Sequence, residues 1–456
     1  MISVAVIVGA GLSIAFAQKG GAEGTTGGAG EATNGPMPTI VPEADTKPLP
    51  IAIPALKNVG TATEGSAKGR AFSEVVSNDL AMTGVFDVLD PKSFNPTVLQ
   101  RDGITQSTIQ FKDWVAVGAQ ALVRGGIAVT GNRVRIAANL FEATTGKLAV
   151  EKVYVGDVDD MRHLAHRFAD EVYRYFVKER SVFSTRIACV KEFGAKPDIT
   201  KEVFVMDFDG YGEKRVTWQN TLAMLPAWSP DGSRIAFTLS TKYNWDLWMA
   251  DLRTGKQRAI SEQPGLNTGA AWAKDGSRVA LTMSKDGQAE IYTLKPDGTD
   301  FRRLTNNWAI DSSPSWSPDS KQIAFVSDRS GAPHIYVMNA DGSSQRRLTF
   351  KGNYNQTPDW SPKGDRIAFT ARDERYRFDI FTVDVKSGDI ERLTQDQGNN
   401  EEPSYSPDGR LMTFISSRTG ARQVWVMSSR GFNQRQISRG KGGYSKPAWS
   451  RWFTKK

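Results

Sequence analysis

The chain is poor in the side chains on which most chemistry depends. Its 456 residues include one cysteine and three histidines. One cysteine excludes an internal disulfide, and no Cys/His spacing suited to a metal site is present. Cys189 lies in the apolar run Ile187-Ala188-Cys189-Val190 and reads as a small buried hydrophobe. No G-x-S-x-G elbow occurs, so the exposed serine nucleophile of an α/β-hydrolase is missing. The net charge is +8, yet no run of five or more Lys/Arg concentrates it, which argues against nucleic acid as a partner. His163 and His166, three apart on a predicted helix, have no carboxylate or Cys at matching spacing and read as a solvated helix face. His334 opens a predicted strand, where it is a candidate for a contact at the loop surface. Asp207-Phe208-Asp209-Gly210 reads as a turn, since it lacks the further oxygens of a calcium loop. Aspartates repeated around a ring remain candidates for a channel cation. No catalytic residue, cofactor or metal ligand is predicted.

What the chain does contain falls into four segments. Residues 1–17 are apolar and uncharged and end in Ala15-Phe16-Ala17 before Gln18. They fall short of the roughly 20 residues of a membrane span and read as a signal peptide cleaved after Ala17, implying export. Residues 18–47 form a Gly/Pro-rich linker, with seven glycines in 18–35. Residues 48–179 read as a small mixed α/β domain. Its predicted helices span 69–83, 113–121 and 159–178, and its strands start near 51, 85, 121, 133 and 148. The last helix carries the stripe Leu164, Phe168, Val172, Tyr175 and Phe176, with Asp159 or Asp160 as N-cap.

Residues 180–456 repeat. The motif PAWSPDGSRIAF and its variants place Trp228, Trp272, Trp316, Trp360, Tyr405 and Trp449 at intervals of 44, 44, 44, 45 and 44. A period in the 40s with several short strands per unit is the signature of a β-propeller. Each unit divides into four strands, with Gly-containing hairpin turns such as Asp297-Gly298 and Asp341-Gly342. Residues 183–217 lack a first strand, and the chain ends on one that terminates at Trp449. Joining the two gives a six-bladed propeller closed by its terminal strand. The repeated Trp-Ser-Pro-Asp-Gly recurs in blade after blade and therefore reads as structure, which accounts for many of the 12 tryptophans.

In an antiparallel four-stranded blade, the loops from strand 2 to 3 and from strand 4 to the next blade emerge at the same end. That face rims the channel mouth. The residues that vary there are the informative ones: Asn267, Trp308, Ser312, Asn353, Tyr354, Asn355, Asn399, Asn400, Glu401 and Tyr444, together with Lys242, Tyr243, Trp245, Arg329, Arg372, Arg375, Arg418 and Arg422. Aromatic, Asn and Arg side chains on an exposed rim match protein-binding hot spots better than a catalytic pocket. A sugar- or small-ligand-binding propeller and an enzyme-associated propeller are the alternatives.

The signal segment, the small α/β domain with AHRFADEVYRYF (165–176) leading into STRIACV (184–190), and the PxWSPDGxxIAF propeller closed by PAWS together resemble the TolB family of the Tol–Pal cell-envelope system. The likeness covers roughly residues 48–450. It implies a monomeric, non-enzymatic periplasmic scaffold that binds a Pal-like outer-membrane lipoprotein over the propeller mouth and supports outer-membrane integrity and invagination during division. Carried over by position, the partner-binding residues implied are Leu266, Asn267, Gly269 and Ser312. The rim residues Trp308, Tyr354, Asn355, Asn400, Arg329 and Arg418 join them. Leu266 stands where the resemblance implies a polar residue or His. The segment beginning Gln18-Lys19 is implied to meet a TolA-like inner-membrane protein.

Overall fold

The computed structural model describes residues 47–194 and 198–453. The predicted signal segment, Gln18, Lys19 and the linker up to residue 46 lie outside the described residues.

The α/β region is a sheet of six strands: β1 (Leu49–Ala52), β2 (Lys57–Asn58), β3 (Phe86–Val88), β4 (Ala121–Thr130), β5 (Arg133–Glu142) and β6 (Leu148–Asp157). The order is β3-β1-β4-β5-β6, with β2 beside β4. Helices α1 (Gly65–Met82) and α4 (Met161–Val177) pack on one face, with α2 (Pro96–Arg101) and α3 (Phe111–Ala116) elsewhere in the same region. The apolar stripe on α4 is what binds it to the sheet, since Leu164, Phe168, Val172 and Phe176 are all buried. Tyr175 differs, donating its hydroxyl to Glu142 Oε1 at 2.7 Å from a half-buried position. Asp160 is the N-cap residue of α4, but its side chain makes no capping bond. The predicted helix 113–121 is a shorter one that ends at Ala116, because Gly118 takes φ +89° and turns the chain toward β4. Helix α2 escaped the sequence pattern. Pro96 and the Asn95 side chain, which accepts from Thr97 N at 2.9 Å, start it where no long apolar period exists.

The repeats form six four-stranded antiparallel sheets. Blades 1 to 5 begin with the strands Ala223–Trp228, Asn267–Trp272, Asp311–Trp316, Asn355–Trp360 and Asn400–Tyr405. Blade 6 joins the C-terminal strand Tyr444–Trp449 to Arg186–Phe193, Thr200–Asp207 and Lys214–Arg215, with Trp449 opposite Ile187. Blade-to-blade bonding uses the repeated indole: Trp228 Nε1 donates to Ala448 O at 3.0 Å and Trp316 Nε1 to Ala271 O at 3.1 Å. The Ser-Pro-Asp-Gly segment is a self-contained turn, in which Ser229 Oγ donates to Asp231 and accepts from Arg234 N.

Each first strand carries a β-bulge two to three residues before its aromatic, where the register with strand 2 shifts. The bulged residues Leu225, Gly269, Ser313, Thr357, Glu402 and Lys446 all adopt left-handed backbone, with φ between 50° and 66°. All six line the central channel, a cavity of about 240 Å³. The bulge bends the strand around the ring, as bulges do where a sheet must turn sharply.

Candidate functional site

The mouth of the propeller is built from side chains that the repeat leaves free. Trp218, Tyr243, Trp308, Ile310, Phe350 and Tyr376 are exposed on the loops of this face, Trp308 at 72% and Tyr243 at 86%. They belong to blades 1 to 4 and the blade 6-to-1 loop, so they form an arc. The remaining sector is polar, with Glu401, Arg418 and Arg422. Together they give this face more exposed large apolar side chains than the opposite one, where Phe432 is also open. Trp218, Ile310, Phe350 and Tyr376 had no sequence signal beyond being apolar residues inside loops.

Beneath the rim lies a repeated polar lattice that accounts for several predicted site residues. The first residues of the third strands bury a polar side chain: Glu202, Asp246, Glu290, His334, Asp379 and Gln423. In most blades the Thr or Ser two residues past the end of the fourth strand, fifteen residues later, bonds to it: Thr217 to Glu202, Thr305 to Glu290, Thr394 to Asp379 and Ser438 to Gln423. The Arg of the same strand joins in blades 6, 2 and 4, through Arg215, Arg303 and Arg392. The Arg-Leu-Thr repeat is therefore a clamp on a buried acid. The first strand of the following blade completes the clamp, as Asn400 Nδ2 donates to Asp379 Oδ1 at 2.9 Å.

This lattice relocates much of the predicted rim. Asn267, Asn355 and Asn400 are buried, not exposed as their loop positions suggest. Asn267 donates to Trp245 O and Gln263 O and accepts from Ser261 Oγ. Arg329 and Arg418 are half-buried and committed to their own blades. Arg329 pairs with Asp311 at 2.7 Å, and Arg418 bonds Asn400 Oδ1 at 2.9 Å while lying over the Trp425 ring. Gly269 faces the channel instead of the rim. Leu266 and Trp308 are exposed, whereas Ser312 and Tyr354 are half-buried. His334 is not at the loop surface. It is 3% exposed, and its Nε2 accepts from Arg347 Nη2 at 2.8 Å, which keeps the imidazole neutral. Burial and then Arg347 hold its pKa below the usual value.

Among the described residues the channel lining holds no ring of aspartates. Asp231, Asp275, Asp319 and Asp408 fold into their own turns, bonding Ser229, Ser277, Ser317 and Ser406. The carboxylates that do line the channel are Asp359 and Glu402, and Glu402 pairs with Lys446 at 3.0 Å. Cys189 is fully buried, and burial pushes its thiol pKa far up, so it is inert.

Among the described residues one set of metal-type donors comes together: Asp79, His166 and Asp209. Asp79 is on α1, His166 on α4, and Asp209 in the turn after the blade 6 strand ending at Asp207. His166 is buried, not solvated as its helix position suggests, and its Nδ1 lies 2.7 Å from Asp79 Oδ2. The cation here is already built in, since Arg162 of α4 donates directly to Asp209 Oδ2. The cluster is an ionic seam joining the α/β region to blade 6. His163, by contrast, is exposed.

Taken with its architecture, this site places the chain among propeller proteins that pair a terminally closed ring with a small α/β domain and present a loop-built face. Comparison with known proteins gives the particular lineage. The TolB amino-terminal domain family matches residues 40–149 and the TolB beta propeller domain family residues 173–453. A Tol-Pal system protein TolB from Anaeromyxobacter dehalogenans is 43% identical over 416 residues, 90% of this chain and 93% of that protein. One from Roseobacter denitrificans is 32% identical over 51% of each chain. The crystal structure of TolB from Acinetobacter baumannii superposes with a TM-score of 0.77 at 26% identity, over 89% of this chain and 97% of that one. The chain belongs to the TolB family and is a Tol–Pal system component.

Proposed function

We propose that the chain is a non-enzymatic periplasmic scaffold whose propeller mouth binds a peptidoglycan-associated lipoprotein, and that this link supports outer-membrane integrity and invagination during division. The observation that carries the reading is the arc of exposed aromatics on the mouth loops, an apolar surface that water alone would not favour. Chemistry has little to work with here. His334 is neutral and bonded, His166 is locked in the interdomain seam, and the sequence offers no serine elbow. The segment from Gln18 onward is assigned to a TolA-like inner-membrane partner on family grounds. No described helix is long and apolar enough to cross a membrane.

The test is capture of the soluble domain of the organism's Pal-like lipoprotein by immobilised protein. A Tyr243→Ala/Trp308→Ala/Tyr376→Ala variant runs alongside. Retention by the wild type and at least tenfold weaker retention by the variant is the expected result. Equal retention moves the site away from the mouth, and no retention by either removes the scaffold reading.

A further inference from the structure

Blade 3 breaks the buried lattice in a way that changes the mouth above it. Where the neighbouring blades place Glu290 and Asp379, blade 3 has the neutral His334. Arg347, the clamp arginine of that blade, therefore meets no carboxylate among the described residues. It bonds His334 and Thr349 O, with its guanidinium over the exposed Phe350 ring. Two further cations of this sector have no ion pair among the described residues either. Lys351 is exposed, and Arg372 makes one side-chain hydrogen bond, a long one of 3.4 Å to Asn353 Oδ1. The Arg372 guanidinium is held between the rings of Tyr354 and Tyr376, 5.2 and 5.1 Å from their centroids, and its Nε is buried without a partner. A guanidinium stacked in this way has lost its freedom before any ligand arrives, while the fork still seeks an acceptor.

Lys351 and Arg372 face one pocket of about 440 Å³, whose other walls include Phe369, Tyr376, Phe381 and Ile390. Two carboxylates also line it, but neither neutralises Arg372. Asp373 Oδ1 accepts from the backbone of Arg375 and Arg377, and its Oδ2 from Arg392. Glu374 is exposed and leans toward Arg375 and Arg392, 3.9 Å from each. The pocket therefore combines an apolar floor with a positive wall that no carboxylate among the described residues compensates.

We propose that this pocket receives an acidic side chain of the bound protein partner, its carboxylate held between Arg372 and Lys351 and its neighbouring apolar surface against Phe369, Phe381 and Ile390. The proposal rests on the mouth being the partner-binding face. It assigns the blade 3–4 sector the charge-reading role and the aromatics of blades 1 and 2 the apolar one. Charge recognition of this kind is screened by salt, whereas apolar contact is not.

Two experiments test it, one of them independent of any partner. In the first, 4-phenylbutyrate and its uncharged amide are titrated into the full-length protein and followed by NMR. The acid binds at least tenfold more tightly than the amide, and Arg372→Gln abolishes the difference. Equal binding of acid and amide, or a preference that survives Arg372→Gln, overturns the proposal. In the second, the Pal-like domain is titrated at low and high salt. Arg372→Gln weakens binding at least tenfold at low salt and flattens the salt dependence. Glu374→Gln tightens binding, and Trp308→Ala weakens it with the salt dependence intact. A wild-type protein that binds the domain, beside an Arg372→Gln variant with the same affinity and salt dependence, overturns this inference and leaves the scaffold reading standing. Failure of the wild type to bind the domain removes the scaffold reading instead, and the first experiment still decides the pocket. Arg372→Lys, which keeps the charge but not the planar stack, gives an intermediate result in both. Unchanged melting of all variants shows that they are folded.

Discussion

The six bulge residues, one in each blade, share a backbone angle that most side chains avoid, and only one of them is glycine. Leu225, Ser313, Thr357, Glu402 and Lys446 sit at φ of 50–61°, a region that costs a residue with a Cβ about 1–2 kcal/mol. The ring holds them there because each lies between two hydrogen-bonded stretches of a first strand. Gly269, at φ +66°, is free of that cost, and a Cβ at this position would approach nothing closer than Thr282 Oγ1 at 4.0 Å. Gly269→Ala therefore tests strain without a clash. We expect it to lower the free energy of unfolding by about 1 kcal/mol in denaturant titration. An unchanged midpoint would show that the bulge tolerates any residue. None of this was visible in the sequence. Five of the six positions precede proline, which bars the right-handed helical region and makes the segment read as plain strand. The register shift exists only against the neighbouring strand.

At the scale of one blade, the balance lies in a charged clamp that the repeat conceals. Glu290 is fully buried and receives Arg303 Nη2 at 3.0 Å, Asn307 N at 2.7 Å and the Thr305 hydroxyl. Removing the acid leaves three donors without an acceptor. Glu290→Leu is expected to cost about 3 kcal/mol, as when one partner of a buried pair is lost. Thr305→Val removes a single hydroxyl and is expected to cost about 1 kcal/mol. Chemical unfolding of both variants checks the ranking, and equal costs would mean that the clamp acts as no unit. The strand content of the blade was legible from its Trp, turn and β-branched pattern, and the four-strand division follows it closely. The clamp was not, since its members lie fifteen residues apart and vary between Glu, Asp, His and Gln. The constant spacing to the Thr was the one signal available. For the same reason Asn267, Asn355 and Asn400 read as open rim residues although the lattice takes them inside.

At the scale of the molecule, two devices unite distant parts of the chain, and each carries a prediction. The first is the seam of Asp79, His166, Arg162 and Asp209. Burial is the largest influence on Asp79 and raises its carboxyl to about 6. On His166 burial acts downward, but the Asp79 carboxylate, its hydrogen bond and Asp209 outweigh it and leave the imidazole more basic than usual. A histidine whose folded pKa is raised stabilises the fold fully below its unfolded value of about 6.5 and loses that contribution as pH rises through the folded value. The stability difference between wild type and His166→Gln is thus expected to be largest below pH ~6.5 and to shrink as the pH rises through the raised folded value. Denaturant titration at stepped pH measures it. A difference that grows with pH would show that the imidazole is neutral in the fold.

The second device is the ring closure, which was legible at both ends of the sequence because a blade lacked its first strand and the terminus supplied one. Tyr444–Trp449 pairs along Arg186–Phe193, Trp449 Nε1 donates to Thr185 Oγ1 at 2.8 Å, and Tyr444 donates its hydroxyl to Glu213 at 2.6 Å. Trp452 adds a bond to Ser181 O, and Ala448 O is the acceptor for the indole of Trp228 in blade 1. Deleting residues 440–456 therefore strips blade 6 of its inner strand and leaves Arg186–Phe193 as an open edge, the form of sheet that recruits other chains. The truncated protein is expected to melt at lower temperature with reduced cooperativity and to elute as oligomers. A synthetic peptide of residues 440–453 added in trans should restore the monomer, because the edge then has its own strand again. A truncated protein that stays monomeric with an unchanged melting temperature would show that blades 1 to 5 hold the ring without its closing strand. The cooperative unit would then lie within the contacts among the remaining blades, such as the bond from Trp316 Nε1 to Ala271 O.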